Sequence, residues 1–117
     1  MDAETLKSYC MSKKGVTTDF PFDAMTQVFR VAGKIFALVP NDASPSVNLK
    51  CDPTFAEVLR QTYAAVTPGY HMNKRLWNTI VLDGSIPDDE LQEMVDHSYE
   101  QVVKGLTKKE WERLAGL

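Results

Sequence analysis

Apolar residues recur along this chain with two spacings, and the changes from one to the other mark out its elements. Ala3, Leu6 and Cys10, with Tyr9 alongside, fall at helical intervals. They predict a first helix over residues 3–13, with Gly15 as a left-handed stop and Lys13 and Lys14 near the negative helix end. Residues 16–26 hold Thr17-Thr18 and Phe20-Pro21-Phe22, where proline forbids a central ladder position, so they read as an irregular edge segment. Residues 27–32 and 34–39 are β-rich and separated by Gly33, which predicts a tight hairpin with Phe29 and Val31 on one face and Phe36 and Leu38 on another. Val47, Leu49 and Cys51 then alternate with Asn48 and Lys50, the period of a strand with one wet face.

The second half returns to helical spacing twice. Asp52-Pro53 opens a helix, because aspartate accepts free amides and proline at the first position loses no available bond. Phe55, Val58, Leu59 and Thr62 are its expected buried stripe. Beyond the Thr67-Pro68-Gly69 turn, residues 77–82 predict a strand that Asp83-Gly84 closes. Ser85 then reads as an N-cap, Asp88, Asp89 and Glu90 load the positive helix end, and Leu91, Met94, Val95, Ser98 and Val102 form an apolar stripe as far as Gly105. Thr107 and Glu110 form a capping box, with Leu106 and Trp111 at staple positions, so a short last helix reaches about residue 115. Three or four antiparallel strands with helices before, between and after them predict an α+β two-layer domain, and no regular βαβ alternation supports a doubly wound fold.

Length and composition narrow this picture. The 117 residues suffice for a single domain over residues 1–117, and 44% hydrophobic with 25% charged residues is ordinary globular usage. The chain shows neither a membrane-length apolar run nor a signal-peptide pattern, which leads to the expectation of a cytoplasmic protein without membrane contact, more readily a monomer than an oligomer. Cys10 and Cys51 have no CxxC or Cys/His spacing and read as small buried thiols. Charge is uneven: residues 1–51 and 52–82 each carry +1, and residues 83–117 carry −5, for a net −3. Bulk attraction to a polyanion is therefore excluded, and any basic face must be local.

GxSxG, GxGxxG, Walker, HExxH and paired CxxC patterns are all absent, so no catalytic residue, metal site or cofactor is assigned. His97 lies beside an apolar stripe and reads as structural; Ser85 reads as a cap rather than a nucleophile. What stands out is a crowd of donors, cations and rings: Tyr70, His71, Asn73, Lys74, Arg75, Trp77 and Asn78, with Arg30 and Lys50 on neighbouring strands. Cations bind phosphate, aromatic rings stack on bases, and asparagine can read a base edge. The same residues also fit a solvated loop beside a core tryptophan, with His71 as a turn residue, and the residues alone leave both readings standing.

The run from Val66 to Ile80, Thr67-Pro68-Gly69-Tyr70-His71-Met72-Asn73-Lys74-Arg75-Leu76-Trp77-Asn78 within it, resembles the MmcQ/YjbR family. Leu49-Lys50-Cys51-Asp52-Pro53, Asp96-His97-Ser98-Tyr99 and the hairpin strand from Gly33 to Leu38 extend the resemblance over nearly the whole chain. It implies a small bacterial α+β domain of the YjbR type, with the two-layer outline of secretion chaperones, and a DNA-binding label drawn from fold. It transfers no catalytic residues. The leading expectation is a noncatalytic protein that binds DNA weakly and salt-sensitively through Arg30, Lys50, Lys74 and Arg75 on phosphates, with His71, Asn73 and Asn78 as polar contacts. The alternative is a protein- or peptide-interaction module with no nucleic-acid role, and a small-molecule enzyme built on His71 ranks third.

Overall fold

The structure is a computed structural model that describes residues 1–69 and 72–117. In chain order the elements are α1 (Ala3–Met11), β1 (Val16–Asp19), β2 (Thr26–Val31), β3 (Lys34–Pro40), β4 (Ser46–Lys50), α2 (Pro53–Thr62), β5 (Val66–Pro68), β6 (Trp77–Val81), α3 (Asp88–Lys104) and α4 (Lys108–Ala115). The strands form one sheet in the order β1-β2-β3-β4-β6-β5, with every neighbouring pair antiparallel. This is the expected α+β architecture, with two short edge strands, β1 and β5, added to the four anticipated. The irregular edge segment is thus partly regular: four of its residues pair with β2 before Phe20 and Pro21 leave the ladder.

Register decides what faces the helices. Phe29 and Val31 lie in the core with Ala37, Val39, Val47, Leu49, Val66 and Ile80, against Leu6 and Cys10 of α1 and Leu91, Met94, Val95 and Val102 of α3. Phe36 departs from the expected alternation. Pairing slips between Phe29, opposite Ala37, and Arg30, opposite Ile35, so Phe36 is an extra residue in β3. The bulge brings Phe36 into the same core as Phe29, edge-on to Tyr99 of α3, while Leu38 pairs with Val28 outside that cluster. The hairpin itself is as expected, with Ala32 (φ 51°) and Gly33 (φ 77°) both left-handed, the geometry of a tight I′ turn.

Other boundaries shift for local reasons. α1 stops at Met11, where the Ser12 hydroxyl donates to the Tyr9 carbonyl, so Lys13 and Lys14 lie past the helix. Lys13 instead pairs with Asp96 of α3 and lies 5.2 Å from the Tyr9 ring centroid and 5.8 Å from that of Tyr99. Ser85 does not cap α3: it bonds to Asp83, and Pro87 precedes the first turn. The α3 stripe is buried at all five expected positions. On α2 the buried residues are Ala56 and Leu59, while Val58 is 51% exposed and Thr62 is exposed, so the helix is turned about its axis from the expected face. The Thr107–Glu110 capping box forms, yet Trp111 is 54% exposed. Cys10 and Cys51 are free, buried thiols, pushed up to about 12 and about 11 first of all by burial.

Asp52 caps α2 as expected, its carboxylate accepting from the Thr54 and Phe55 amides at 3.1 Å each. Buried Ser98 ties α3 to the sheet by accepting from the Lys50 amide at 2.9 Å and donating to the Phe36 carbonyl. No helix among the described residues is long and apolar enough to cross a membrane.

Candidate nucleic-acid interface

The β5–β6 connection is built on one glycine and one asparagine. The Gly69 amide donates to the Trp77 carbonyl at 2.8 Å, and a Cβ at Gly69 would lie 2.8 Å from Trp77 Cβ, so the two backbones approach as only glycine permits. Asn73 Oδ1 accepts from the Arg75 amide at 3.0 Å, and the Asn73 carbonyl accepts from the Leu76 amide at 3.1 Å, which folds residues 73–76 into a turn. Lys74 Nζ donates back to the Gly69 carbonyl at 3.0 Å. Tyr70 and His71 lie outside the described residues, so the expected role of His71 has no geometry attached to it.

Arg60, on α2, holds this turn in place. Its Nε donates to Asn78 Oδ1 at 2.7 Å, and its Nη2 donates to the carbonyls of Trp77, at 3.3 Å, and Lys74. The rigid guanidinium fork suits three acceptors on one strand end better than a lysine would. The Asn78 amide group donates in turn to the Ala56 carbonyl at 3.4 Å. Asn78 is only 1% exposed. The expectation that Asn78 reads a ligand is therefore overturned: its amide is committed inside the fold, on the face of β6 shared with Ile80.

Pro53, Thr54, Glu57 and Arg60 of α2 and Lys74 and Arg75 of the turn line an open cleft of about 450 Å³. Three cations face one carboxylate there, a local excess of positive charge in a chain of net −3. Lys74 and Arg75 are exposed and Arg60 is half-buried, so a polyanion in the cleft would meet two outer charges, Lys74 tethered to the Gly69 carbonyl, above an inner one. Asn73 is exposed beside them, with its side-chain oxygen engaged in the turn.

The other expected contacts lie elsewhere. Lys50 on β4 pairs opposite Trp77 on β6, and both are half-buried. Arg30 pairs opposite Ile35 and is occupied, its Nε 2.9 Å from Asp19 and its Nη1 3.1 Å from the Gly33 carbonyl. Strands β3 and β4 separate it from β6, about 14 Å at ordinary strand spacing. The fold thus gathers Asn73, Lys74 and Arg75, sets Lys50 on the neighbouring strand, and leaves Arg30 apart and neutralised.

Arg60 belongs to no motif of the sequence. The signal was its spacing, since Pro53, Glu57 and Arg60 recur at i, i+4 and i+7 on one helix face. His97 is structural as expected: Nε2 accepts from the Asp52 amide at 3.1 Å, its ring meets Phe55 edge-on, and burial lowers its pKa against the pull of the Asp52 and Glu100 carboxylates. Among the described residues no group of three or more His, Cys, Asp or Glu side chains could hold a metal ion.

A family model described as YjbR matches residues 11–101. The chain is 37% identical over 118 residues to the uncharacterized protein YjbR of Escherichia coli K12, covering 100% of both chains. The crystal structure of Deinococcus radiodurans protein DR2400, 36% identical, superposes with a TM-score of 0.91 over 97% of this chain and 88% of that one. A crystal structure from Pseudomonas syringae, 24% identical, shares the fold with a TM-score of 0.76 over 86% of this chain and 98% of its own.

Proposed function

The chain belongs to the YjbR family, and on that premise we propose that it is a noncatalytic DNA-binding protein whose α2–β6 cleft takes the phosphate backbone. The observation that carries the reading is the convergence of Arg60, Lys74 and Arg75 on one open cleft with only Glu57 opposing them. Cations from two separate elements meet there although the chain as a whole is acidic. Such a site holds phosphates by position and charge, and it reads no base edges. Binding is accordingly weak and salt-sensitive: neutralising two or three phosphates gives a salt slope of roughly −2 to −3 on logarithmic axes. Trp77 and Lys50, opposite one another on adjacent strands, offer a stacking and a charged contact beyond the cleft.

A labelled duplex titrated at about 50 and about 200 mM salt tests this. Wild type should bind saturably at the lower salt, and Lys74→Ala with Arg75→Ala should weaken binding and flatten the slope by about two. Absence of saturable binding by wild type at low salt defeats the proposal. A second reading, a protein-interaction module, draws on Phe20, Phe22 and Met25, which are 45%, 66% and 54% exposed in the β1–β2 connection. Affinity capture after nuclease treatment separates the two: a stoichiometric protein partner that survives nuclease favours the module.

A further inference from the structure

Asp52 joins two devices. Its carboxylate caps α2 through the Thr54 and Phe55 amides, while its own amide donates to Nε2 of His97 on α3 at 3.1 Å. Only a ring nitrogen without a proton can accept that bond, so the contact requires a neutral His97 with its hydrogen on Nδ1. The same ring packs edge-on against Phe55, with centroids 4.8 Å apart, and so touches the first turn of α2 twice. About two turns further along α2 stands Arg60, which fixes the carbonyls of Lys74 and Trp77. One chain of contacts therefore runs from His97 through α2 to the cations of the cleft.

We propose that His97 is an acid-sensitive latch on this cleft: a proton on Nε2 sets a donor against the Asp52 amide, releases the first turn of α2, and loosens the grip of Arg60 on the Lys74 turn. Polyanion binding then weakens on acidification. The ligand in this proposal rests on the DNA-binding reading; the latch itself does not.

The Asp52 carboxylate at the β4–α2 junction and Glu100 on α3 favour the imidazolium. Burial opposes them and is the larger effect, holding the pKa below its ordinary value. Lys50 and the buried Cys51 thiol, from β4 and its end, line the narrow gap beside the ring together with Phe55 and Asn78. The sign of the effect is diagnostic. Charging two histidines makes a chain of net −3 less acidic, so general electrostatics predicts tighter polyanion binding at low pH. The latch predicts the reverse.

The test uses His71→Ala as background, to silence the other histidine, and His97→Gln, whose side-chain carbonyl can accept the Asp52 amide at any pH. In the His71→Ala protein, NMR titration should show the Asp52, Thr54 and Phe55 amides and the Arg60 Nε–H moving with the His97 ring. Duplex affinity should fall about fivefold from about pH 7.5 to the acid end of the His97 titration seen by NMR, equivalent to ~1 kcal/mol at 25 °C. Adding His97→Gln should abolish both changes. Amides at Asp52 to Phe55 that ignore the His97 titration overturn the latch, and so does an affinity that rises equally in both proteins. If wild type as well as the His71→Ala protein binds no duplex at any pH, the DNA reading fails while the amide titration still decides the latch. That titration needs only the His71→Ala protein, so it stands even if His97→Gln does not fold.

Discussion

Breaking the Arg60–Asn78 contact should cost far more than a surface ion pair, because one partner is buried. Asn78 is 1% exposed and accepts from Arg60 Nε at 2.7 Å. Arg60→Met keeps much of the aliphatic stem but leaves Asn78 Oδ1 without its donor; the Lys74 carbonyl loses its guanidinium contact too, while the Trp77 carbonyl keeps the Gly69 amide. A buried polar atom left unsatisfied costs about 1–3 kcal/mol, and a bond to a charged donor contributes about 1.5–3 kcal/mol, so we expect a loss of ~3 kcal/mol. Asn78→Leu removes the acceptor and leaves Arg60 with two of its three partners, for a loss of ~2 kcal/mol. Since both changes break the same bond, the double variant should be less destabilised than the sum, with a coupling of about 1–2 kcal/mol. Urea unfolding followed by circular dichroism measures this directly. With a slope of roughly 1–3 kcal/mol per molar, Arg60→Met should lower the midpoint by about 1–3 M. Additivity within ~0.3 kcal/mol would mean that Arg60 and Asn78 act independently, and the argument that Arg60 positions the cleft would fail with it.

Gly15 and Gly84 both have left-handed backbones, φ 73° and 84°, but a Cβ at Gly15 would come 2.5 Å from Leu114 Cδ1 while Gly84 faces open space. Gly84→Ala should therefore cost only the backbone term, about 1–2 kcal/mol, and Gly15→Ala nearly the same in thermal unfolding, because the ends of the Leu114 and Leu117 side chains can swing aside. Ser98→Ala removes a buried hydroxyl that serves the Lys50 amide and the Phe36 carbonyl, and should destabilise by about 1–3 kcal/mol in denaturant unfolding. His97 has a folded-state pKa below its ordinary 6.5, so its unfolded form binds the proton first. Its contribution to stability is present above pH 6.5, declines as pH falls through that value, and levels off below the folded-state pKa. Melting temperature against pH should show this decline in a His71→Ala protein and lose it with His97→Gln.

Elements whose pattern is long or whose caps are chemical were legible in the sequence. The α3 stripe, the Asp52 cap and the Thr107–Glu110 box each follow from side chains within a few residues of one another. Features that depend on a partner strand or helix were not. β5 has three residues, too few for periodicity, and becomes a strand only because β6 lies beside it. Phe36 reaches the core through a bulge that appears only when β2 and β3 are paired. α2 packs through Ala56 rather than Val58, at the point where the Ala56 carbonyl accepts from the Asn78 amide. At the candidate site the sequence marked Lys74 and Arg75, and the fold sets both on the lining of the cleft. It misjudged Asn78, although strand alternation already set Asn78 on the inward face with Ile80. Arg60 reaches the turn across 14 residues by folding alone.

The central claim is that the α2–β6 cleft receives the phosphate backbone, and chemical-shift mapping during titration with a short duplex at low salt tests it most directly. The account predicts that the largest saturable shifts fall on Asn73, Lys74, Arg75 and the first two turns of α2, and that they collapse when salt is raised. Shifts confined to residues 20–25 around Phe20 and Phe22, or no saturable shifts at all, would contradict it.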